Sequence, residues 1–528
     1  MCNDAHVFDK LLTATLPALP THIALYRSLV VAGIMVIGGA IAWLPPEISA
    51  ILLGGAIILV LLLYYPVLSL YLLILIIPLS TLLAVPLGGF KAGLMEIVLA
   101  LGLTAWFLQT ATKRYFQKPT AAGPPLRSLP PLLWPFLLLL GSAALSWLNT
   151  FSIGASFIET AKWVEMLALF LLLVNLLPHR HLKWVVAVIL LTGVGQAALG
   201  LYQFIFKVGP EGFLLFDGRF LRAFGTFAQP NPYAGYLGLI LPLALSLAIW
   251  SFSAAEFRLS NSGPAGFWFK GRLKFSNLSA KILLSLGVAL LLVALFASQS
   301  RAAWLAFVVA AAVTIVAGNA RPGLIITTLI SAAALVGLVG AFEWNPNHLT
   351  NTPDNTAFGA ITQRFIDAAT ITTIDDISAL EVNDANFATI ERLAHWQAAR
   401  EMWRDNPWLG VGFGNYAAIY PVYAVGRWLD PLGHAHNTLL NIGAETGLVG
   451  LVGYLIFWIF AFKIGWQATR CSHGFYRAIA AGNLGILVHL HIHNFFDNLY
   501  VQGMYLHIAV ILAVTSIIHH ACQCPVNR

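Results

Sequence analysis

The chain has 528 residues, 59% of them hydrophobic and 10% charged, with a mean hydropathy of +0.79. A soluble globular chain carries about a quarter charged residues, so the composition excludes one and predicts an all-α polytopic membrane protein. The net charge of +7 is then no sign of a nucleic-acid partner, because Lys and Arg in such proteins gather in cytoplasmic loops.

The first 25 or so residues are polar, longer than an ordinary signal-peptide n-region, so the first apolar run is expected to stay as an anchor. Apolar runs long enough to span lie near 27–44, 48–64, 66–84, 93–111, 131–148, 157–177, 184–206, 233–253, 280–298, 302–318, 323–342, 438–462, 478–496 and 503–520. They predict about 12–14 transmembrane helices. Two places leave the count open. The pair around Pro66 reads as a hairpin or a broken helix, and 157–177 carries Glu159, Lys162 and Glu165, which would suit the membrane interface.

With the N-terminus in the cytoplasm, the basic segments fall inside, as the positive-inside rule requires. These are 112–130, Arg180 and Lys183, 254–281, Arg321, Lys463, Arg470 and Arg477. Both termini are then cytoplasmic, in the inner membrane. The loop 343–437 falls outside, with no lysine, five arginines and eleven acidic residues. The expected organisation is 1–194, amino-terminal membrane helices; 195–342, helices carrying outward-facing arginines; 343–437, an extracytoplasmic loop domain; and 438–528, the last membrane helices.

Within that loop, WNPNHLTNTPDNTAFGAITQ reads as irregular. ERLAHWQAAREMWRDNP reads as an amphipathic helix, with Leu393, Trp396, Ala399 and Trp403 on one face and Pro407 beyond its end. WLGVGFGNY places Gly410, Gly412 and Gly414 as in half of a dinucleotide fingerprint. No βαβ unit surrounds them, so a tight glycine turn packed near the membrane surface is expected instead.

Polar groups at membrane depth mark functional cavities. Arg222 lies in RFLRAFGTFAQPNPYAGYL, just before a span, and either snorkels to headgroups or serves a site. Arg301, in ASQSRAAWLAF, sits between two apolar runs and runs against the positive-inside trend. In GHAHNTLLNIGAETGLVG, helical spacing puts Asn437, Asn441 and Glu445 within a stripe of about 80°. Gly443, Gly447 and Gly450 fall on the other side, a spacing that permits close helix contact.

His434 and His436 open that segment. A metal would need three or four ligands with further support, and His348 and His395 are the remaining histidines of the loop, so no metal is expected. A histidine general base is chemically simpler. Arginines on the same side suit the oxygens of a diphosphate, which they grip with fixed, forked donors. Further on, His489, His493 and Asp497 share a helix face in HLHIHNFFDNLY. They could bind a metal, relay protons, close the same cavity, or form a buried hydrogen-bonded network between helices. Cys2, Cys471, Cys522 and Cys524 make no disulfide framework; the last two, beside His519 and His520, read as a frayed terminus.

His436 and Asn437, followed by Gly447 and Gly450 after a large outer loop, form a pattern that resembles the O-antigen ligase family, which also takes in O-antigen polymerases. RAFGTFAQPNPYAGYL, SQSRAAWLAF and RLAHWQAAREMWRDNPWLGVGFGNY are similar to the family's other motifs, and the resemblance covers about residues 195–500. It implies a metal-independent, cofactor-free, inverting glycosyltransferase of surface-polysaccharide or lipopolysaccharide biosynthesis. Such an enzyme moves a glycan from undecaprenyl diphosphate, a polyprenyl-diphosphate carrier, to a hydroxyl of a lipid or glycan acceptor at the membrane. The resemblance assigns the base to His436 and diphosphate binding to Arg222 and Arg301, with Arg392 as a further arginine. Asn437, Glu445, His434, His493 and Asp497 are expected in support. An O-antigen polymerase and a protein-glycosylating member are the enzymatic alternatives. A small-anion, bicarbonate-like transporter is another, although the chain shows no internal repeat of the kind transporters carry. A structural scaffold would leave the arginines and the His-Asn-Glu stripe unexplained.

Overall fold

A computed structural model of the chain describes residues 45–82, 84–87, 90–116, 130–215, 218, 220–253, 277–318 and 387–523, together with Gly39. The helices are α1 (Pro46–Tyr64), α2 (Pro66–Ile76), α3 (Leu94–Phe116), α4 (Leu133–Leu145), α5 (Ile153–Leu176), α6 (Leu182–Phe206), α7 (Pro230–Gly238) and α8 (Leu241–Ser253). They continue as α9 (Asn277–Ala297), α10 (Arg301–Ala317), α11 (Phe387–Asp405), α12 (Tyr416–Tyr423), α13 (Thr438–Cys471), α14 (Gly474–His493) and α15 (Met504–Gln523). Two short antiparallel hairpins, Ala84–Leu87 with Phe90–Gly93 and Leu214–Leu215 with Phe220–Leu221, are the only paired strands among the described residues. The protein is an all-α polytopic membrane protein.

Every apolar run that falls among the described residues is helical. The runs near 27–44 (but for Gly39) and 323–342, and the first half of the long loop, lie outside them. By length and composition, seven described helical stretches can cross a membrane, and three apolar stretches, 66–79, 133–149 and 301–317, are shorter. The chain divides into a unit up to Tyr65 and a unit from Pro66 onward. In the first, α1 exposes Leu53, Ile57 and Val60, and its 19 residues span about 28 Å at 1.5 Å per residue, the thickness of a bilayer's hydrocarbon core.

In the second unit, α14 packs against α8 and α10, α13 against α4, and α15 against α5. Small residues make these contacts close. A Cβ at Gly482 would lie 2.6 Å from Leu243 Cα, and one at Gly453 2.2 Å from Ser142 Oγ, so helices approach here without intervening side chains. The run 233–253 is two helices rather than one, broken at Leu239–Ile240. The charges of α5 are handled inside the bundle. Lys162 Nζ pairs with Glu159 Oε1 at 2.5 Å, Trp163 Nε1 donates to the same oxygen at 3.0 Å, and Tyr505 Oη donates to Glu165 at 2.6 Å. The sequence suggested an interfacial segment; whatever its depth, its charges have protein partners, which is how ionisable residues persist beside apolar helices.

Candidate functional site

The site is built around the entry to α13. Asn437 is its N-cap, and its side chain accepts the N–H of Leu440 at 3.1 Å, satisfying one of the orphan donors of a helix start. His436 immediately before it has φ 51, a left-handed conformation that costs free energy for a residue with a Cβ and turns the chain sharply into the helix. One turn on, Asn441 Oδ1 accepts the N–H of Ala435 at 3.0 Å. Thr438 N–H donates to Asn494 O at 2.8 Å and ties this entry to the segment after α14.

Glu445 is also buried, and its Oε1 accepts the N–H of Tyr416 at 3.1 Å. The predicted polar stripe thus faces the interior, but its members hold backbone amides: Asn437 that of Leu440 in α13 itself, Asn441 that of Ala435 before it, and Glu445 that of Tyr416 at the start of α12. Among the described residues the opposite glycine face meets Trp403 of α11 and the segment Trp408–Leu409 rather than another membrane helix. Gly447, at φ 62, interrupts α13, and the chain segment 407–412 fills the break. Leu448 N–H donates to Pro407 O and Val449 N–H to Trp408 O, while Val411 and Gly412 donate to Ala444 O and Glu445 O. Gly410, Gly412 and Gly414 all have positive φ, so WLGVGFGNY is a glycine turn packed on the helix, as expected from the absence of a βαβ unit.

Beside this entry stand His434, His436 and Asp497. His436 Nδ1 lies 3.5 Å from Asp497 Oδ1, and His434 Nε2 lies 3.8 Å from the same oxygen. Oδ1 also accepts the N–H of Asn498 at 2.9 Å. The two histidine rings meet edge to face with centroids 4.4 Å apart. Burial pushes His434 down to about 4, so it is neutral near pH 7. Burial alone would raise the Asp497 carboxyl. Contact with His436, then the charges of His434, His436 and His493, outweigh it and hold Asp497 well below the usual carboxylate range.

Three ligand atoms of this trio lie within 4.8 Å of one another, close enough for a metal ion. The tautomer of His434 argues against that use. Its Nδ1 accepts the N–H of His436 at 3.1 Å, which leaves the ring proton on Nε2, the nitrogen that would have to bind. A metal-bound histidine instead donates its other N–H outward.

Arg222 feels the same carboxylate, and two further arginines act on Arg222. Arg222 Nε donates to Ser298 O at 3.0 Å and Nη2 to Asn231 Oδ1 at 2.8 Å. The side chain is therefore held by α7 and the α9–α10 turn and does not snorkel. Among the described residues no partner takes Nη1. Burial lowers Arg222 to about 10; the charges of Arg392 and Arg301 push the same way, and Asp497 opposes them. That mutual influence places the four groups in one electrostatic neighbourhood. Arg301 opens α10, exposed, after the tight turn Ser298–Ser300 in which Gln299 has φ 55. Arg392 lies half-buried on α11, where its charge reaches Glu391 and His493 as well as Arg222.

Four further residues at this site were assigned no place in it from the sequence. Asn231 holds Arg222. His395 packs its ring 5.7 Å from that of His436, with Nδ1 2.9 Å from Tyr416 Oη, and burial pushes it down to about 4. Trp396 Nε1 donates to His436 O at 3.4 Å. Glu391 is raised by burial, against the opposing charges of His436 and Arg392. The signal for three of them was present: Glu391, Arg392, His395 and Trp396 recur at helical spacing on one side of α11.

The family model for O-antigen ligase matches residues 286–455. No curated protein matches the chain. The matched span contains Arg301, Arg392, His434, His436, Asn437 and Glu445, while Arg222, His493 and Asp497 lie on either side of it. The domain is that of ligase- and polymerase-like membrane proteins of polysaccharide biosynthesis. The chain carries an O-antigen ligase family domain at residues 286–455.

Proposed function

We propose that the protein transfers a glycan from a polyprenyl-diphosphate carrier to an acceptor hydroxyl, at the extracytoplasmic face of the inner membrane. The observation that carries this reading is the contact of His436 with Asp497 beside Arg222, Arg301 and Arg392. Asp497 faces Nδ1 of His436, which favours the tautomer protonated there and leaves Nε2 as the base. The acceptor oxygen attacks the anomeric carbon as its proton passes to Nε2. The bond from that carbon to the diphosphate oxygen breaks, its electron pair leaves on the diphosphate, and attack from the opposite face inverts the anomeric centre.

Diphosphate is already a good leaving group, so the protein supplies mainly position and charge. Arg222 suits this because its buried head is fixed by Asn231 and Ser298 before any ligand arrives. Asn437, Asn441 and Glu445 act as supports of the turn that carries His436. The same step serves a ligase, whose acceptor is a lipid core, and a polymerase, whose acceptor is a second lipid-linked chain. A small-anion transporter would use the arginines but would leave the His436–Asp497 contact without work.

The test is glycan transfer from purified lipid-linked donor by the protein and by His436→Ala, Arg222→Ala and Arg301→Ala. Loss of transfer in the His436 variant and severe loss in the other two is expected. Full activity in all three overturns the reading. Activity undiminished by a chelator is expected if the step uses no metal.

A further inference from the structure

The segment 222–226 leads from Arg222 toward α7, whose Asn231 holds the arginine head, and it belongs to no helix or strand. Chain without regular structure must still pair its buried backbone groups. Here five successive N–H groups, 222 to 226, are all taken. Arg222 donates to Phe213 O at 2.9 Å and Ala223 to Ala297 O at 3.0 Å. The next three go to side chains of one membrane helix, α6. Phe224 and Gly225 donate to Gln203 Oε1 at 3.2 and 2.7 Å, and Thr226 donates to Gln196 Oε1 at 3.1 Å. Gln203 Nε2 returns a bond to Gly225 O at 2.7 Å. Its amide therefore pairs with Gly225 through both donor and acceptor, as a neighbouring strand would.

Gln196 and Gln203 stand seven residues apart in α6, which puts them about 20° apart around the helix and two turns along it. Both are buried. A buried amide in an apolar helix costs free energy unless it is hydrogen-bonded, and the acceptors of both are met by backbone of the Arg222 segment rather than by another helix. Gly225 has φ 56, and a Cβ there would lie 2.4 Å from Gln196 Oε1, so glycine lets the turn close against the glutamines. The clamp at 224–226 thus sits between Arg222 and Asn231 and sets where the two meet. The bond from Ala223 to Ala297 adds the turn that leads to Arg301 to the same assembly. We propose that Gln203, aided by Gln196, is a positioning residue for Arg222, holding its guanidinium in place for the diphosphate of the donor. The inference rests on the glycosyl-transfer reading. Gln203 itself need not touch substrate.

The experiment compares the full-length protein with Gln203→Met, which keeps the length of the side chain and removes the amide. kcat/KM for the lipid-linked donor should fall about tenfold or more, the cost of a slightly misplaced group, while the KM of the acceptor stays unchanged. Gln203→Glu keeps an acceptor for the two N–H groups and should recover part of the loss. In an Arg222→Ala background, Gln203→Met should cost nothing further. Losses that multiply, or an acceptor KM that rises in step, would mean a general structural role and overturn the inference. The Nε–H of Arg222, bonded to Ser298 O, gives a reading without catalysis. Its hydrogen exchange, followed by NMR, should be faster in Gln203→Met than in the unaltered protein, and unchanged exchange overturns the clamp. Faster exchange in a protein that transfers no glycan upholds the clamp and counts against the transfer reading alone. Gln196→Met, which frees only Thr226, should act in the same direction by less, and it takes the place of Gln203→Met if that variant does not fold.

Discussion

Asn441 accepts the backbone N–H of Ala435, the residue between the two site histidines, across 3.0 Å. The first full turn of α13 thus reaches back and fixes the strained approach to its own N-cap. Asn441→Ala leaves that buried N–H without a partner, a cost of ~1–3 kcal/mol, and frees the His434–His436 turn. Transfer should fall at least tenfold, with the melting temperature lowered. Asn441→Asp, which keeps an acceptor, should retain more activity than Asn441→Ala; equal loss in both would contradict this role.

Arg222 is committed to two partners before substrate arrives. Lysine offers one rotatable ammonium where arginine offers a fixed fork. Arg222→Lys should therefore keep the charge yet lose tenfold or more in kcat/KM. Asn231→Ala, which releases only one strut, should lose less. Near-normal kcat/KM in Arg222→Lys would show that charge alone suffices.

Gly447 has φ 62, and a Cβ there would lie 2.2 Å from the backbone carbon of Trp408. Gly447→Ala should destabilise the fold by ~2 kcal/mol or more, from backbone strain together with the clash. Gly450→Ala meets Thr446 Oγ1 and Cβ in its own helix but adds no positive-φ strain, since Gly450 is not among the positive-φ glycines, and should cost less. Thermal melts of the two variants in detergent, ranked the other way, would refute this.

Stability should also depend on acid. His434 and His395 are both pushed from the ordinary 6.5 down to about 4, chiefly by burial. Between those values the unfolded chain binds more protons than the folded one, so stability rises with pH. Their contribution is complete above about 6.5 and is lost as pH falls toward 4. The depressed Asp497 carboxyl acts with the same sign at lower pH. The melting temperature at pH 4.5 should lie below that at pH 7.5, and an equal or higher value would contradict the assignment.

Much of this was legible in the sequence because it is local. Apolar runs marked the helices that are described, and spacing put Asn437, Asn441 and Glu445 on one face. What that face touches depends on chain elsewhere: Glu445 meets Tyr416, 29 residues away. The break between α7 and α8 had a signal that the apolarity of the run masked: Pro242 has no N–H to bond back to Gly238, the last residue of α7, so a continuous helix is interrupted there. Asp497 was found by its spacing from His493, yet its contact with His436 spans two membrane helices and has no periodic trace. The arginines were recognisable singly, whereas the neighbourhood they share follows from the packing of α7, α10, α11 and α14.

The break at Gly447 also changes how the membrane-crossing length of α13 should be measured. Its 34 residues would run about 51 Å as an unbroken helix, far more than a hydrocarbon core of about 30 Å. The turns before Gly447 are fastened by Asn441, Glu445, Val411 and Gly412 to residues 407–435. Counted from Leu448 to Cys471, the remainder is about 36 Å, a length that a modest tilt accommodates. A single glycine thus divides one continuous hydrophobic segment into a part sized for lipid and a part that belongs with the histidine turn.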